Sequence, residues 1–247
     1  IGTGTAAAPV ITGTTALSIN AAAAPNGLSI SGNAGINTLT GTVFVDILTG
    51  NGGIDVMDGG NGADLYLVTS SVQHSAAEIN DSGASGSDEL RFASTTAGQT
   101  LTVFAGDIGL ESVAIGTGVA AAPVLTGTTA LSINASAAPN GLSISGNGGI
   151  NTLTGSGFAD ILTGNGGIDV MNGGNDADLY LVTSSADHSA AEINDSGASG
   201  SDELRFASTA ANQILTVFAG DVGLESVTIG TGVAAAAVTT ATTALGI

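Results

Sequence analysis

The stretch GNAGINTLTGTVFVDILTGNGGIDVMDGGNGADLYLV, residues 32–68, repeats one pattern every nine residues. Each unit begins with a glycine, carries Asn or Asp five positions later, and places a large apolar residue two positions after that. Glycine recurs too often for an α-helix, and the apolar residues are not spaced three and four apart. The pattern instead predicts a glycine-rich turn followed by a three-residue strand whose middle side chain points to one face.

A three-residue strand buries almost nothing alone, so the units are expected to stack on one another. Two units make one coil, and successive coils then lie in parallel register about 4.7–4.9 Å apart. The fold class predicted from the sequence is therefore all-β, a parallel β-solenoid. The side chains predicted to point inward are Leu39, Leu48, Met57 and Tyr66, repeated as Leu153, Leu162, Met171 and Tyr180.

The whole chain is built from a longer tandem repeat of 114 residues, marked by IGTG at Ile1, Ile115 and Ile229. We divide it into copy 1 at 1–114, copy 2 at 115–228, and the start of a third copy at 229–247. The nonapeptide blocks span 32–67 and 146–181, and the two full copies differ at 16 positions. The window is expected to come from a longer array of such copies.

The segments that flank the nonapeptide blocks are predicted to continue the solenoid with longer coils. Short strands separated by turn signals are indicated at LSISG, DELRFAS, LTVF and ESVAIG, which begin near Leu28, Asp88, Leu101 and Glu111. No helical pattern interrupts them.

The charge of the chain excludes several classes of partner. Its 247 residues include 21 acidic residues against two arginines, Arg91 and Arg205, for a formal net charge of -19. Such a charge repels nucleic acid and anionic membrane surfaces, and no apolar run is long enough to cross a membrane. The mean hydropathy of +0.43 favours folding over disorder. The absence of Cys excludes thiol catalysis and a disulfide framework.

The acidic residues on the nine-residue period predict a metal site. Stacked coils place Asn37 over Asp55 and Asp46 over Asp64, and two carboxylates about 5 Å apart repel by roughly 3 kcal/mol at an effective dielectric constant of about 20. Calcium between the turns would relieve this repulsion, because it accepts six to eight oxygen ligands, including the backbone carbonyls that glycine turns expose. Softer metals would need His or Cys, which the period lacks.

The predicted calcium ligands share this position in each unit, together with nearby backbone carbonyls. They are Asn37, Asp46, Asp55, Asp64, Asn151, Asp160, Asp169 and Asp178, with carbonyls near Gly32, Gly41, Gly50, Gly59, Gly146, Gly155, Gly164 and Gly173. The alternative interpretation of the six aspartates is a set of solvated acidic turns.

The units resemble the hemolysin-type calcium-binding repeats of RTX proteins, whose nonapeptide is G-G-x-G-x-D-x-U-x. GGNGADLYL at residues 59–67 fits every specified position. The units that begin at Gly50 and Gly164 replace only the second glycine, and the unit from Gly173 has Asp176 at the fourth position.

Two departures from the family pattern bear on the predicted sites. Asn37 and Asn151 replace the Asp, so their sites are expected to be weaker, and Phe44 and Phe158 replace a turn glycine. The resemblance implies that the solenoid is a right-handed parallel β-roll, that it folds with calcium outside the cell, and that it leaves the cell by type I secretion.

A looser resemblance covers the rest of each copy, because very large secreted repeat proteins of this family continue with an acidic stretch and two further short steps. These steps match Glu78, Asp88 and Glu111, with counterparts Glu192, Asp202 and Glu225. Asp88, Asp202 and Asp176 are possible further ligands. Asp81, Asp88, Glu89 and Glu111 lack the nine-residue frame, and surface charge is their preferred interpretation, with calcium ligation as the alternative.

Other chemistry is weakly indicated. His74 and His188, with Glu78 and Glu192, could suggest zinc, but one His and one carboxylate per copy is no zinc-protease motif, and a loop histidine is the preferred interpretation.

Arg91 and Arg205 are expected to form local ion pairs. No nucleophile elbow, phosphate-binding loop or paired-carboxylate cleft is present, so the chain is not predicted to be an enzyme. Thr-rich steps such as TLTGT indicate strand preference rather than an ice-binding face.

The function predicted from the sequence is structural. The chain is expected to be an extracellular or cell-surface, secreted solenoid that binds calcium and forms a filament, surface-layer or adhesin shaft, with copies of itself as partners. The alternative is an accessory folding and secretion module of a larger secreted enzyme, such as a protease, lipase or epimerase. An adhesin tip is disfavoured, because tips are usually non-repetitive.

Overall fold

The protein is seen in a computed structural model that describes residues 3–5, 8–119, 122–231 and 245–246. The chain forms two compact units, Ile1–Val124 and Leu125–Ile247. Each unit is a β-solenoid of short strands with one three-residue 3₁₀ turn, at Ser71–Gln73 and at Ser185–Asp187. The predicted all-β parallel solenoid is confirmed. No helix in the described ranges is long and apolar enough to span a membrane.

Thirteen strands are described in the first unit. They are β1 (Thr3–Thr5), β2 (Ala8–Val10), β3 (Ser18–Asn20), β4 (Ser29–Ser31), β5 (Thr38–Thr40), β6 (Ile47–Thr49), β7 (Val56–Asp58), β8 (Leu65–Val68), β9 (Glu89–Phe92), β10 (Thr100–Thr102), β11 (Ser112–Ile115), β12 (Thr117–Val119) and β13 (Ala122–Val124).

The described strands of the second unit repeat this series. They are β14 (Ser132–Asn134), β15 (Ser143–Ser145), β16 (Thr152–Thr154), β17 (Ile161–Thr163), β18 (Val170–Asn172), β19 (Leu179–Val182), β20 (Glu203–Phe206), β21 (Gln213–Ile214), β22 (Ser226–Ile229) and β23 (Leu245–Gly246).

Consecutive strands of the nonapeptide block alternate between two parallel sheets. One sheet has the order β3-β5-β7, and the other contains β4, β6 and β8 as neighbours. Ile47 pairs with Ser29 on one side and with Leu65 on the other, so each coil consists of two nonapeptides. The second unit has the same arrangement in β14-β16-β18 and β15-β17-β19. This confirms the predicted two-unit coil.

The coils lengthen after the block, as predicted. Glu89 in β9 pairs with Leu65 on one side and with Ser112 in β11 on the other, and both of these coils are longer than two nonapeptides. The other sheet continues through isolated parallel bridges from Met57 to Ile79 and from Asn80 to Ile108. Extra turn residues are thus accommodated outside the sheets, and the parallel register is kept.

The predicted inward-facing side chains are all buried. Leu39 and Met57 pair in one sheet, and Leu48 and Tyr66 pair in the other, so the core has two facing columns rather than one. None of the four is more than 2 % exposed. A strand of three residues therefore contributes one core side chain, and stability comes from stacking these along each column.

An antiparallel hairpin begins each copy and was not predicted from the sequence. β1 pairs with β2 in copy 1, and β12 pairs with β13 in copy 2. The TGV and APV segments have no glycine period and no strong apolar alternation, so nothing in the local sequence indicates this pairing.

Candidate metal centre

The predicted acidic residues are joined to the preceding coil through their backbones. The N–H of Asn37 donates to Oδ1 of Asp55, and the N–H of Asp46 donates to Oδ1 of Asp64, each over 2.7 Å. Both donors lie 18 residues before their acceptors. The structure therefore stacks these residues in the pairs expected from the nine-residue period, with the carboxylate of each pair aimed at the backbone of its neighbour.

A continuous series of such bonds runs along one edge of each solenoid unit. In the first unit, the N–H of Asp64 donates to Asp88 over 2.8 Å and the N–H of Asp88 donates to Glu111 over 2.7 Å. We call Asp46, Asp64, Asp88 and Glu111 the carboxylate ladder. Its counterpart in the second unit comprises Asp160, Asp178, Asp202 and Glu225.

The six nonapeptide aspartates are buried, so the interpretation as solvated acidic turns is wrong. Asp46, Asp55, Asp64 and Asp169 have no exposed surface, and the remaining two are 2 % exposed. A buried ionised carboxylate is costly unless its oxygens are hydrogen-bonded or paired with a positive charge. The partners of each oxygen therefore determine what the turns can bind.

In two of the four turns of each block, the side-chain oxygen of the Asp or Asn that would face an ion accepts a hydrogen bond from a residue of the same turn. Oδ2 of Asp46 accepts from the N–H of Thr42 over 2.6 Å and from its hydroxyl over 2.9 Å. The amide oxygen of Asn37 accepts from the N–H of Asn33 over 2.7 Å. We call these the capped turns, residues 33–37 and 42–46, with counterparts at 147–151 and 156–160.

The other two turns leave one carboxylate oxygen bare. Oδ2 of Asp55 and Oδ2 of Asp64 are buried and have no hydrogen-bond partner in the described part of the chain. Four residues earlier, Asn51 and Gly60 adopt left-handed backbone conformations with φ of 75° and 89°, unlike Asn33 and Thr42 in the capped turns. We call these the open turns, residues 51–55 and 60–64, with counterparts at 165–169 and 174–178.

The glycine that immediately precedes an open turn makes room for the carboxylate. A methyl group on Gly50 would overlap Oδ2 of Asp55, and one on Gly59 would overlap Oδ2 of Asp64. The glycine and the Asp five positions later are therefore one structural unit. This close approach explains why both residue types follow the same nine-residue period.

The open carboxylates have perturbed acidity. Burial raises the pKa of Asp55 to about 6 and that of Asp64 to about 7, although hydrogen bonds from backbone N–H groups oppose the shift. Burial likewise raises the pKa of Asp169 to about 7 and that of Asp178 to about 8. Each open carboxylate thus requires a proton or a cation, and a site of oxygen ligands alone suits calcium.

A group of three carboxylates adjoins the second open turn of each block. Asp64, Asp81 and Asp88 each offer an oxygen within 4.8 Å of the others, and Asp178, Asp195 and Asp202 do the same in the second unit. We call each group a three-carboxylate cluster. Asp88 and Asp202, predicted as possible ligands, belong to it. Asp176 is exposed, has φ of 69°, and lies outside it.

Ligation was only the less favoured alternative for Asp81, and Asp195 was not predicted as a ligand. The spacing between Asp64 and Asp81 is no multiple of nine, because the coil after the block is longer. Asp81 is buried rather than a surface charge. The Asp-Ser-Gly turn at residues 81–83 is the local signal that could have indicated a second binding turn.

The histidines are buried between two acidic groups. In the first unit, Nε2 of His74 lies 3.0 Å from Oδ2 of Asp107, and Nδ1 lies 3.4 Å from Oε2 of Glu78. Burial opposes protonation, but the hydrogen bond with Asp107 and the nearby carboxylate of Glu78 outweigh it and raise the pKa of His74 to about 9. The two carboxylates lie at opposite ring nitrogens, so they do not converge on one ion. His188 repeats the arrangement with Asp221 and Glu192.

The predicted local ion pairs of the arginines are confirmed. Arg91 donates to both carboxylate oxygens of Glu89, and Arg205 does the same with Glu203. Glu89 is buried in this pair, so its interpretation as surface charge is wrong. Arg91 also donates to the carbonyl of Val119 in β12 over 2.9 Å and has no exposed surface. It therefore holds the unpredicted hairpin against the solenoid and takes no part in the acidic edge.

A family model of the RTX calcium-binding nonapeptide repeat, in four copies, matches residues 31–66 and 145–180. These ranges coincide with the two blocks of stacked turns, which therefore match a nonapeptide repeat that binds calcium. The chain has no match among curated proteins or solved structures. The buried, bare oxygens of the open turns fit the ion that the family implies.

Proposed function

We propose that this chain is a calcium-stabilised structural repeat protein outside the cell, which serves as a filament, surface-layer or adhesin shaft. The observation that supports this most strongly is the set of bare, buried carboxylate oxygens in the open turns of both copies. An ion in these turns would stabilise the solenoid itself, since the same residues also accept hydrogen bonds between coils.

The open turns are the proposed calcium sites of each nonapeptide block. Asp55 and Asp64, with Asp169 and Asp178, would supply carboxylate oxygens, and carbonyls of the glycine-rich turns would supply others. Bound calcium provides the positive charge that these buried groups lack. A bound ion would stabilise the capped turns less, because Asn33 and Thr42 already donate hydrogen bonds to the side-chain oxygens of Asn37 and Asp46. Asn37, Asp46, Asn151 and Asp160 are thus proposed as weaker ligands.

Calcium would act as a folding switch, so that the chain stays unfolded in the cytosol and folds outside the cell. At the low calcium concentration of a cytosol, the ladder carboxylates repel one another and folding is opposed. Outside the cell, the free energy of calcium binding becomes free energy of folding, because a preformed site does not exist in the unfolded chain. This coupling supports the proposed extracellular location and export in an unfolded state.

The near identity of the copies supports a structural role over a catalytic one. The two 114-residue copies differ at 16 positions, and every feature of the acidic edge recurs in both. A shaft or lattice uses one unit many times, whereas a catalytic site is needed once. Self-association of copies is proposed on the same ground.

A second candidate function is an accessory module of a secreted enzyme. The nonapeptide blocks support it, because such repeats resemble those that accompany secreted proteases, lipases and epimerases. The residues on either side of this window discriminate between the two. Further 114-residue copies support the shaft, and a catalytic motif supports the module.

Electron microscopy of the native material, with calcium and after its removal, tests the structural role. The shaft proposal predicts threads, filaments or sheets in calcium that disappear on chelation and return when calcium is restored. Isolated globular particles under both conditions would contradict it. Magnesium at the same concentration serves as the control, because it dehydrates reluctantly and demands stricter octahedral geometry.

A further inference from the structure

The first turn of each nonapeptide block is built around two buried asparagines and contains no carboxylate. In the first unit these are Asn33 and Asn37, which are 3 % and 1 % exposed. Asn147 and Asn151 occupy the same positions in the second unit and are equally buried. These side chains carry no charge, so their burial needs no counter-ion, provided that each amide group has hydrogen-bond partners.

The orientation of the Asn37 amide is fixed by its neighbours. Oδ1 of Asn37 accepts from the N–H of Asn33 over 2.7 Å, and a rotated amide would set two N–H donors against each other. Nδ2 of Asn37 then donates to the carbonyl of Leu17 over 3.1 Å and to Oδ1 of Asn33 over 3.1 Å. The amide therefore has its oxygen and both of its N–H donors engaged within the protein.

The Asn33 amide is engaged in the same way. Its Oδ1 accepts from the N–H of Gly35 over 2.8 Å as well as from Nδ2 of Asn37, and its Nδ2 donates to the carbonyl of Thr15 over 3.1 Å. A methyl group on Gly35 would overlap the carbonyl of Thr14, so the turn packs directly on the preceding coil. The two amides and the two carbonyls of that coil thus form one neutral hydrogen-bond network.

The second unit repeats this network. The N–H of Asn147 donates to Oδ1 of Asn151 over 2.8 Å. Nδ2 of Asn147 donates to the carbonyl of Thr129 over 3.0 Å, and Nδ2 of Asn151 donates to the carbonyl of Leu131 over 2.9 Å. Both copies therefore link their first turn to the preceding coil through side-chain amides.

The open turn one coil later differs at both atoms. A methyl group on Gly32 would overlap Oδ1 of Asn37, as one on Gly50 would overlap Oδ2 of Asp55, so these two oxygens occupy corresponding positions. Oδ2 of Asp55 has no partner among the described residues, whereas Oδ1 of Asn37 has one. The link to the preceding coil is also reversed, because Oδ1 of Asp55 accepts from a backbone N–H, whereas Nδ2 of Asn37 donates to the carbonyl of Leu17.

We propose that Asn33 and Asn37 form an asparagine clasp, which holds the first coil of the block to the preceding coil without calcium, and that Asn147 and Asn151 form another. The proposal rests on the calcium-binding function proposed above and narrows it, because Asn37 and Asn151 were proposed there as weaker ligands. Their amide oxygens are already hydrogen-bonded, and the neighbouring carbonyls already accept from NH₂ groups, whose positive ends would repel a cation. This turn therefore does not fit the ion that the repeat family implies.

The clasp determines where the calcium requirement of each copy begins. Because it is neutral and fully hydrogen-bonded, it can hold the first coil in register before any ion is bound. The first buried carboxylate oxygen without a partner in the described part of the block belongs to Asp55, one coil later. The calcium-binding turns thus stack on a coil whose own turn is complete without the ion.

The test compares the unaltered chain with Asn37→Asp and with the control Gln73→Asp. Each variant adds one negative charge to copy 1, and copy 2 already carries Asp187 at the control position. Calcium bound per chain is measured by equilibrium dialysis at saturating calcium. Circular dichroism of each variant in calcium reports folding.

We expect Asn37→Asp to bind one more calcium ion than the unaltered chain, because the new carboxylate replaces a neutral amide and frees the carbonyl of Leu17 as a ligand. Gln73→Asp should bind the same number as the unaltered chain. An unchanged count in Asn37→Asp would overturn the clasp, since an ion would then already be present at this turn.

A crystal structure of the unaltered chain in calcium decides the matter if Asn37→Asp does not fold. The anomalous signal of calcium should be absent within about 2.6 Å of Oδ1 of Asn37, while Nδ2 stays within hydrogen-bond distance of the carbonyl of Leu17. A calcium ion bound to Oδ1 would overturn the proposal. The proposed function fails separately, if the circular dichroism of the unaltered chain does not respond to calcium.

Discussion

The backbone N–H of Asp46 donates a 2.7 Å hydrogen bond to Oδ1 of Asp64, 18 residues later in the chain. The bond places a buried carboxylate directly against the preceding coil and leaves Oδ2 of Asp64 bare. The same oxygen pair thus serves two purposes: one atom holds the coils in register, and the other is available to a cation. Stacking and calcium binding are inseparable in this arrangement.

Replacing an open carboxylate should weaken calcium binding. In Asp55→Asn the amide oxygen can still accept from the N–H of Asn37, but the bare negative oxygen is lost. We expect the calcium concentration at the midpoint of folding to rise about tenfold, which corresponds to about 1.4 kcal/mol. A calcium titration followed by circular dichroism measures this midpoint.

The matched control for this experiment is Asp187→Gln, because copy 1 has Gln73 at the same position. It removes the same charge from outside the open turns, at a position whose charge still raises the pKa of Asp169, so its midpoint should shift much less than that of Asp55→Asn. Equal shifts in the two variants would mean that total charge, and not the open turn, sets calcium affinity.

The glycine that immediately precedes an open turn should not tolerate a side chain. A methyl group at Gly50 overlaps Oδ2 of Asp55, whereas one at Gly52 would make only ordinary contacts at 3.6 Å from Ala34. We expect Gly50→Ala to lower the free energy of unfolding in calcium by about 1–3 kcal/mol. Gly52→Ala should change it much less, as urea denaturation of the two variants will show. Equal losses would contradict the assigned role of Gly50.

Without calcium, acid should partly stabilise the fold. Burial raises the pKa of Asp64 to about 7 and that of Asp88 to about 8, whereas the ordinary pKa of an aspartate is 3.8. The folded chain therefore binds more protons than the unfolded chain between about pH 4 and pH 8, and its stability falls as the pH rises through that window. In calcium-depleted buffer, circular dichroism should show more β-structure at pH 5 than at pH 8. Less β-structure at pH 5 would refute the assignment of buried, unpaired carboxylates.

In calcium, alkali should weaken the fold through the histidines. The pKa of His74 is raised from 6.5 to about 9, since Asp107 and Glu78 outweigh the opposing effect of burial. Its stabilising contribution is complete below pH 6.5 and is lost as the pH rises through about 9. A difference of about 3 kcal/mol in the free energy of unfolding is the upper bound for one such group.

The double variant His74→Gln/His188→Gln isolates this effect. Urea denaturation in saturating calcium at pH 6 and pH 9.5 should show a smaller difference between the two pH values in the variant than in the unaltered chain. If both proteins lose stability equally, the histidines are neutral in the folded state and the charge assignment is wrong.

Much of the solenoid could be predicted from the sequence because glycine, Asp or Asn, and a large apolar residue each recur at a fixed position of the nine-residue unit. Leu39 and Tyr66 occupy the inward positions, and Asp46 stacks on Asp64 as expected. The distinction between capped and open turns was not predicted, since it depends on the backbone conformation at Thr42 and Asn51.

Contacts between residues far apart in the chain could not be predicted from the sequence either. Asp81 reaches Asp64 only because the following coil is lengthened, and no fixed spacing indicates that meeting. His74 meets Asp107 across 33 residues, so its burial between two carboxylates could not be inferred from Glu78 alone. Arg91 could be paired with Glu89 from local sequence, but its bond to Val119 could not.

Far-UV circular dichroism of the full chain during removal and restoration of calcium tests the central claim most directly. The buried, bare oxygens of Asp55 and Asp64 predict that chelation removes most of the β signal and that added calcium restores it. A spectrum that stays unchanged at saturating chelator would contradict the account, because the stacked carboxylates would then be stable without the ion.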